Sequence, residues 1–222
     1  MEDNDNKYKI EEIGETFNKD LTTYKVIILG LSGVGKTTIS FQIIQKKYKE
    51  CSPTISLDLA NYQVKVNDKT IQIQFWDACG NEDFAENTPN LFKNTSIAIL
   101  VYAINDKKSF EDVEKWLHIL RDKAMGYQTI LIGNKSDLEI ERAVQKSEGE
   151  KCQKDYDFKY FFETSGKTGF NVNKLLNQIA IILYEMEEKK EKENENDKKI
   201  NIVKEDISGK KVTSKKNNCC SN

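Results

Sequence analysis

Tyr24-Lys25-Val26-Ile27-Ile28-Leu29-Gly30-Leu31-Ser32-Gly33-Val34-Gly35-Lys36-Thr37 is the stretch on which the reading of this chain turns. Its first half is a short apolar run ending in glycine, which reads as a strand buried in a parallel sheet. Its second half, from Gly30 to Thr37, matches G-x-x-x-x-G-K-[ST]. Glycines there permit backbone angles that turn N–H groups inward around phosphate oxygens. Ile39, Ile43 and Ile44 give residues 37–48 helical spacing, and a helix starting near Lys36 adds the positive end of its dipole. Lys36 can reach β- and γ-phosphates, and the Thr37 hydroxyl suits Mg²⁺. A glycine-rich turn without a ligand is the bland alternative; the strand before the motif and the helix after it weigh against that.

Outward from this loop, two alternating runs follow. Tyr62, Val64 and Val66 alternate with Gln63 and Lys65, and Ile71, Ile73 and Phe75 with Gln72 and Gln74; Asn67-Asp68 between them makes a hairpin. Strands are expected at 97–102, 129–133 and 160–164. Helices are expected through Phe110, Val113, Trp116, Leu117 and Leu120, near 146–155, and through Val172, Leu175, Leu176, Ile179, Ile182 and Leu183. Strands alternating with helices imply an α/β fold with a mostly parallel sheet covered on both faces. The count is six strands, the hairpin adding one antiparallel edge strand. Ligands on such sheets sit at the carboxyl ends of the strands.

Composition sets the outer limits. The chain has 222 residues, 38% hydrophobic and 32% charged, with a net charge of −2 that gives no case for a nucleic-acid binder. Residues 1–22 are acidic and read as a disordered extension; residues 23–186 carry the single folded domain; residues 187–222, rich in Glu, Lys, Asn and Asp, read as a flexible tail. No apolar run is long enough for a membrane span, and the acidic start is not a signal peptide. The five cysteines (Cys51, Cys79, Cys152, Cys219, Cys220) match neither a zinc pattern nor a disulfide framework, which fits a reducing cytosol. His118, the single histidine, reads as a partly exposed helical residue rather than a catalytic one.

Three further stretches occur in register. Asn134-Lys135-Ser136-Asp137 follows a strand and matches N-K-x-D; a carboxylate there accepts the guanine N1–H and N2–H₂ donors, which adenine lacks in that arrangement. Glu163-Thr164-Ser165-Gly166-Lys167 resembles E-T-S-A-K, and Trp76-Asp77-Ala78-Cys79-Gly80-Asn81-Glu82 resembles W-D-T-A-G-Q-E. With these residues the chain resembles the small GTPases over about 24–184, the Rab branch above all. Ser32, Trp76, Val101-Tyr102, Ser109-Phe110, Trp116-Leu117, Phe161-Phe162-Glu163 and the terminal cysteine pair carry that likeness.

The resemblance implies a three-layer G domain and a set of roles. Ser32, Gly33, Val34, Gly35, Lys36, Thr37 and Thr38 would hold the phosphates. Thr54 would be the first-switch threonine on Mg²⁺ and the γ-phosphate, Asp77 would hold Mg²⁺ through water, and Gly80 would give its N–H to the γ-phosphate. Tyr48 would pack on the guanine edge. Asn134, Lys135, Asp137, Ser165, Gly166 and Lys167 would recognise the base. The catalytic set would be Lys36, Thr54 and Asn81. Implied partners are an exchange factor, a GTPase activator, a GDP-dissociation inhibitor, prenylation machinery and effectors, with a monomer on the cytoplasmic face of endomembranes that cycles with the cytosol.

The chain departs from the family pattern at several places. Asn81 stands where the family has the water-orienting Gln, on a stem one methylene shorter. Cys79 and Gly166 replace alanines, Ile55-Ser56-Leu57-Asp58-Leu59 replaces I-G-x-D-F, and Ala103 replaces an Asp. Leu31 is apolar where Rabs often carry a polar residue, and 36–54 is one residue shorter than usual. The ending Cys219-Cys220-Ser221-Asn222 resembles the C-C-X-X terminus of Rabs, which carries two geranylgeranyl groups. Three functions follow: a GTP-hydrolysing switch that recruits effectors in vesicular traffic, a GTP-loaded membrane scaffold with negligible turnover, and an ATPase or nucleotide kinase, against which Asn134-Lys135-Ser136-Asp137 argues.

Overall fold

In chain order the elements are β1 (Ile10–Gly14), β2 (Thr23–Leu29), α1 (Lys36–Gln45), β3 (Asp58–Val66), β4 (Lys69–Asp77), α2 (Glu82–Glu86), β5 (Thr95–Ala103), α3 (Lys107–Glu111), α4 (Val113–Lys123), β6 (Gln128–Asn134), α5 (Lys146–Asp155), β7 (Tyr160–Glu163) and α6 (Val172–Ser208). This computed structural model describes residues 7–51, 54 and 57–208, apart from the side chains of Phe84, Glu86, Pro89 and 194–208. Residues 52, 53, 55 and 56 of the first-switch segment and the lipidation candidates Cys219 and Cys220 lie outside the described residues.

The sheet order is β1-β3-β4-β2-β5-β6-β7. β2 is central because every residue from Tyr24 to Leu29 is buried, which only a strand with neighbours on both sides and layers on both faces can satisfy. It pairs in parallel with β4 and β5, and β5–β6 and β6–β7 are parallel too. Ile27 and Leu29 join a core with Leu100, Tyr102, Trp116, Leu120 and Leu131. Val26 and Ile28 alternate to the other face, where the buried Ile39 and Ile43 of α1 and Leu175, Leu176 and Ile179 of α6 complete the third layer.

Among the described residues the sheet has seven strands, not the expected six, because residues 10–14 form a strand. β1 pairs antiparallel with β3, matching Ile10 to Val66 and Glu12 to Val64. The antiparallel hairpin strand β3 is therefore internal, and the edge is β1. The reason lies in Gln63 and Gln72. By alternation they belong to the polar face of the hairpin, yet both are buried. Gln63 Nε2 donates to Gln72 Oε1 (2.9 Å), Gln72 Nε2 donates to Thr23 Oγ1 (2.7 Å), and Gln72 Oε1 accepts the Asn18 backbone N–H (2.7 Å). The segment read as disordered covers these amides and satisfies them.

Two helices differ in extent from the sequence reading. α1 stops at Gln45 because Lys46 turns left-handed, with φ 54°. The stripe from Phe110 to Leu120 is split into α3 and α4 at Asp112. The chain divides into units Met1–Tyr184 and Glu185–Asn222. In the second, the backbone stays helical to Ser208 where a flexible tail was expected. Lys189–Glu193 and Lys192–Glu188 pairs at 3.9 Å follow the i,i+4 spacing that supports an exposed helix. Among the described residues no helix is long and apolar enough to cross a membrane.

Candidate nucleotide-binding site

The loop between β2 and α1 meets the carboxyl ends of β4, β6 and β7, where an α/β sheet of this order binds ligands. Gly35 sits at φ 94° immediately before α1, and no side chain caps the helix, so its first N–H groups are left for a ligand. A Cβ at Gly35 would stand 2.3 Å from Asn134 Nδ2. Gly80 is packed as closely: a Cβ there would lie 2.2 Å from the Ser32 backbone nitrogen. These approaches leave a cavity of about 120 Å³ lined by Ser32, Gly33, Gly35, Lys36, Thr37, Thr38, Cys51, Thr54 and Gly80.

Lys36 is buried and folds back to donate to the carbonyls of Gly30 (2.9 Å) and Leu31 (3.1 Å). Burial lowers its pKa to about 8, against the pull of the Asp77 charge. Asp77 is buried as well, and burial lifts its pKa to about 6. The Thr37 hydroxyl and the Lys36 ammonium act in the opposite sense, yet among the described residues neither carboxylate oxygen has a partner in hydrogen-bond geometry. Beside it the hydroxyls of Thr37 and Thr54 approach to 2.6 Å. An orphaned carboxylate next to two hydroxyls is the all-oxygen donor set that a hard divalent cation takes, with water completing its shell. The residues fit Mg²⁺.

The base end is joined to this cradle by one amide. Asn134 is buried; its Nδ2 donates to the Val34 carbonyl (2.8 Å), and its Oδ1 accepts from Thr164 Oγ1 and the Gly166 N–H, both at 3.1 Å. Ser165 Oγ donates to Asp137 Oδ1 at 2.5 Å and receives the Thr168 N–H at 3.0 Å. Asp137 is exposed, Lys135 half-buried in a left-handed conformation (φ 65°), and Lys167 exposed. Arg142 pins both loops from outside, donating to Glu163 through Nη1 (2.7 Å) and Nη2 (3.1 Å) and to Glu139 through Nε (2.8 Å). Loops carrying N-K-x-D and E-T-S-G-K thus meet each other and the glycine-rich loop through Asn134.

Residues 25–185 match the Ras family. The chain belongs to this family of small GTPases. Its relatives include the Ras-related proteins Rab-13 of Bos taurus and Mesocricetus auratus, each 34% identical over 159 residues that cover 71% of this chain and 78% of theirs. The Rattus norvegicus protein of that name is 33% identical over the same share. The G domain of this Rab-like GTPase thus brings Ser32, Gly33, Val34, Gly35, Lys36, Thr37, Thr38, Thr54, Asp77 and Gly80 to one end and Asn134, Lys135, Asp137, Ser165, Gly166 and Lys167 to the other.

Two expected members are exposed. Tyr48 is 49% exposed in the segment after α1, and Asn81 is exposed just before α2. Two residues were missed. Cys51 lines the phosphate cavity, and nothing in its sequence context announces it. Arg142 follows Asp137 by five residues, a spacing that marks it only once Glu163 is known to lie opposite. The Gly166 departure from Ala has a local reason: a Cβ there would stand 2.9 Å from the Thr38 methyl and 3.1 Å from the Ile39 nitrogen. Thr38 fills the space an alanine methyl would take.

Proposed function

We propose that this Ras-family GTPase is a Rab-like switch that binds GDP and GTP with Mg²⁺, hydrolyses GTP slowly, and recruits effectors to endomembranes in vesicular traffic. The observation that carries the reading is Asn134, whose amide ties the phosphate cradle to both base loops, with the Asp137 carboxylate exposed beside Ser165. Asp137 then accepts the guanine N1–H and N2–H₂ donors, the Ser165–Lys167 loop offers backbone N–H to the guanine O6, and the Lys135 stem lies along the base. Ser32, Gly33, Val34, Gly35 and Thr38 surround the phosphates, and Lys36 exchanges its loop carbonyls for β- and γ-phosphate oxygens. Thr37, Thr54 and Asp77 would hold Mg²⁺, which supplies charge neutralisation at the β- and γ-oxygens. Gly80 gives its N–H to the γ-phosphate, and Tyr48 closes over the guanine edge.

Hydrolysis transfers the γ-phosphoryl group to water, breaking its bond to the β-bridging oxygen. Asn81 orients that water, and its short stem sets it back from where a Gln amide would reach. Tenfold in rate is about 1.4 kcal/mol of barrier, which a slight misplacement supplies. Asn81 also supports a second reading, a GTP-loaded scaffold with negligible turnover. Single-turnover hydrolysis separates the two. Asn81→Gln is expected to speed the basal reaction about tenfold. An unchanged or slower rate removes Asn81 as the cause, and no turnover even with a Rab-directed activator leaves the scaffold.

The remaining parts of the proposal are an exchange factor, an activator, a GDP-dissociation inhibitor, prenylation machinery, and geranylgeranyl groups on Cys219 and Cys220. Together these would cycle the chain between cytosol and the cytoplasmic membrane face.

A further inference from the structure

The family match begins at Lys25, and the ordered segment before it lies outside the matched residues. That segment is bound along its length. Lys9 and Asn67 exchange bonds, the Asn67 N–H donating to the Lys9 carbonyl (2.7 Å) and the Lys9 N–H to Asn67 Oδ1 (3.0 Å). β1 then follows β3, and the Asn18 N–H ends on the buried Gln72. Between these anchors stands Glu12. Its Oε2 accepts the Tyr62 hydroxyl of β3 at 2.5 Å and meets Lys46 Nζ at 2.5 Å. Lys46 is the residue that ends α1, and its Nζ also donates to Asn173 Oδ1 of α6 at 3.1 Å. Three residues on, Glu15 lines a cavity of about 220 Å³ shared with Thr37, Ser40, Asp58 and Asp77.

We propose that residues 7–20 form a positioning strap for the nucleotide site, in which Glu12 fixes the carboxyl end of α1 and so slows nucleotide release. This rests on the nucleotide-binding reading above. α1 opens on the phosphate cradle, and the first-switch segment leaves from its far end at Lys46. A helix moves as a rigid body, so a tether at Lys46 restrains Lys36 and Thr37 at the other end. The Glu12–Lys46 pair is partly exposed, with side chains 30% and 41% accessible, so it adds little to global stability. Its effect is placement: one carboxylate oxygen holds α1 to β3, and Asn173 holds the same ammonium to α6.

Release of a fluorescent GDP analogue from the Mg²⁺-loaded full-length chain tests this. Deletion of residues 1–21 and Glu12→Ala are each expected to speed release about fivefold or more, the range of ordinary site-to-site coupling. Glu11→Ala, on the opposite side of β1, should leave the rate unchanged. The charge reversal Glu12→Lys/Lys46→Glu should bring it back towards the starting value, and a peptide of residues 7–20 should slow release from the truncated chain. If truncation yields insoluble protein, Glu12→Ala and the reversal decide alone. Equal rates for the full chain and Glu12→Ala, or an equal effect of Glu11→Ala, overturn the strap while leaving the nucleotide site intact. A full-length chain that retains no guanine nucleotide overturns both.

Discussion

Asp77 is the residue at which folding and function oppose each other most directly. Its carboxylate is buried with neither oxygen partnered among the described residues, and burial raises its pKa to about 6. Such a group costs the nucleotide-free protein on the order of 1–3 kcal/mol. Asp77→Asn removes the charge at constant shape. It is expected to raise the melting temperature of the nucleotide-free protein at neutral pH by several degrees and to abolish the tightening of GTP by Mg²⁺. Calorimetry with the nucleotide stripped, and binding with and without Mg²⁺, check the two halves; an unchanged melting temperature means the site relaxes around the charge. At this scale the sequence was most legible. The phosphate loop, Asp77, Gly80, Asn134 and Asp137 each sit in a short local pattern whose chemistry needs that residue type. Cys51 and the Thr38–Gly166 contact were illegible because they are set by segments distant in sequence.

Among the elements, β2, β5 and β6 followed from apolar runs, and α5 spans Lys146–Asp155, where a helix was expected. β1 escaped because Ile-Glu-Glu-Ile-Gly is mostly exposed and carries no strand alternation. Only the buried Gln63 and Gln72 betray it, and burial is not visible in a single sequence. The break between α3 and α4 was hidden because the apolar stripe continues across Asp112. Between elements, Arg142 is the contact with the clearest functional reach. It joins the turn after β6 to the end of β7, with its side chain only 10% accessible and that of Glu163 12%. Arg142→Met keeps the apolar stem and removes the fork, leaving Glu163 without its partner. GDP release should accelerate about tenfold, the scale of a charged hydrogen bond, while single-turnover hydrolysis of bound GTP stays unchanged because the phosphate end is untouched. A proportional loss of hydrolysis would make Arg142 a general stabiliser instead.

Taken as a whole, the chain divides into a G domain and a tail whose purpose we read as anchorage. One prenyl chain binds membranes marginally and two hold firmly. Mass spectrometry of the cellular protein should therefore find two C20 groups, on Cys219 and Cys220. Cys219→Ser/Cys220→Ser should move the protein to the soluble fraction, and a variant that stays on membranes rules out this anchor. On this reading Lys210, Lys211, Lys215 and Lys216 would add up to about 1 kcal/mol each near an anionic surface. One feature of the sheet bears on how the molecule is made. β1 precedes every other strand in the chain but lies at the sheet's edge, beside β3 and away from β2. During synthesis it leaves the ribosome without a partner until Asp58–Val66 has followed it out. At roughly 5–20 residues per second that interval is several seconds. For that time an acidic, mostly polar segment waits in solvent, where an apolar strand would invite pairing with the wrong chain. The polar sequence that concealed β1 is thus also what lets it wait safely.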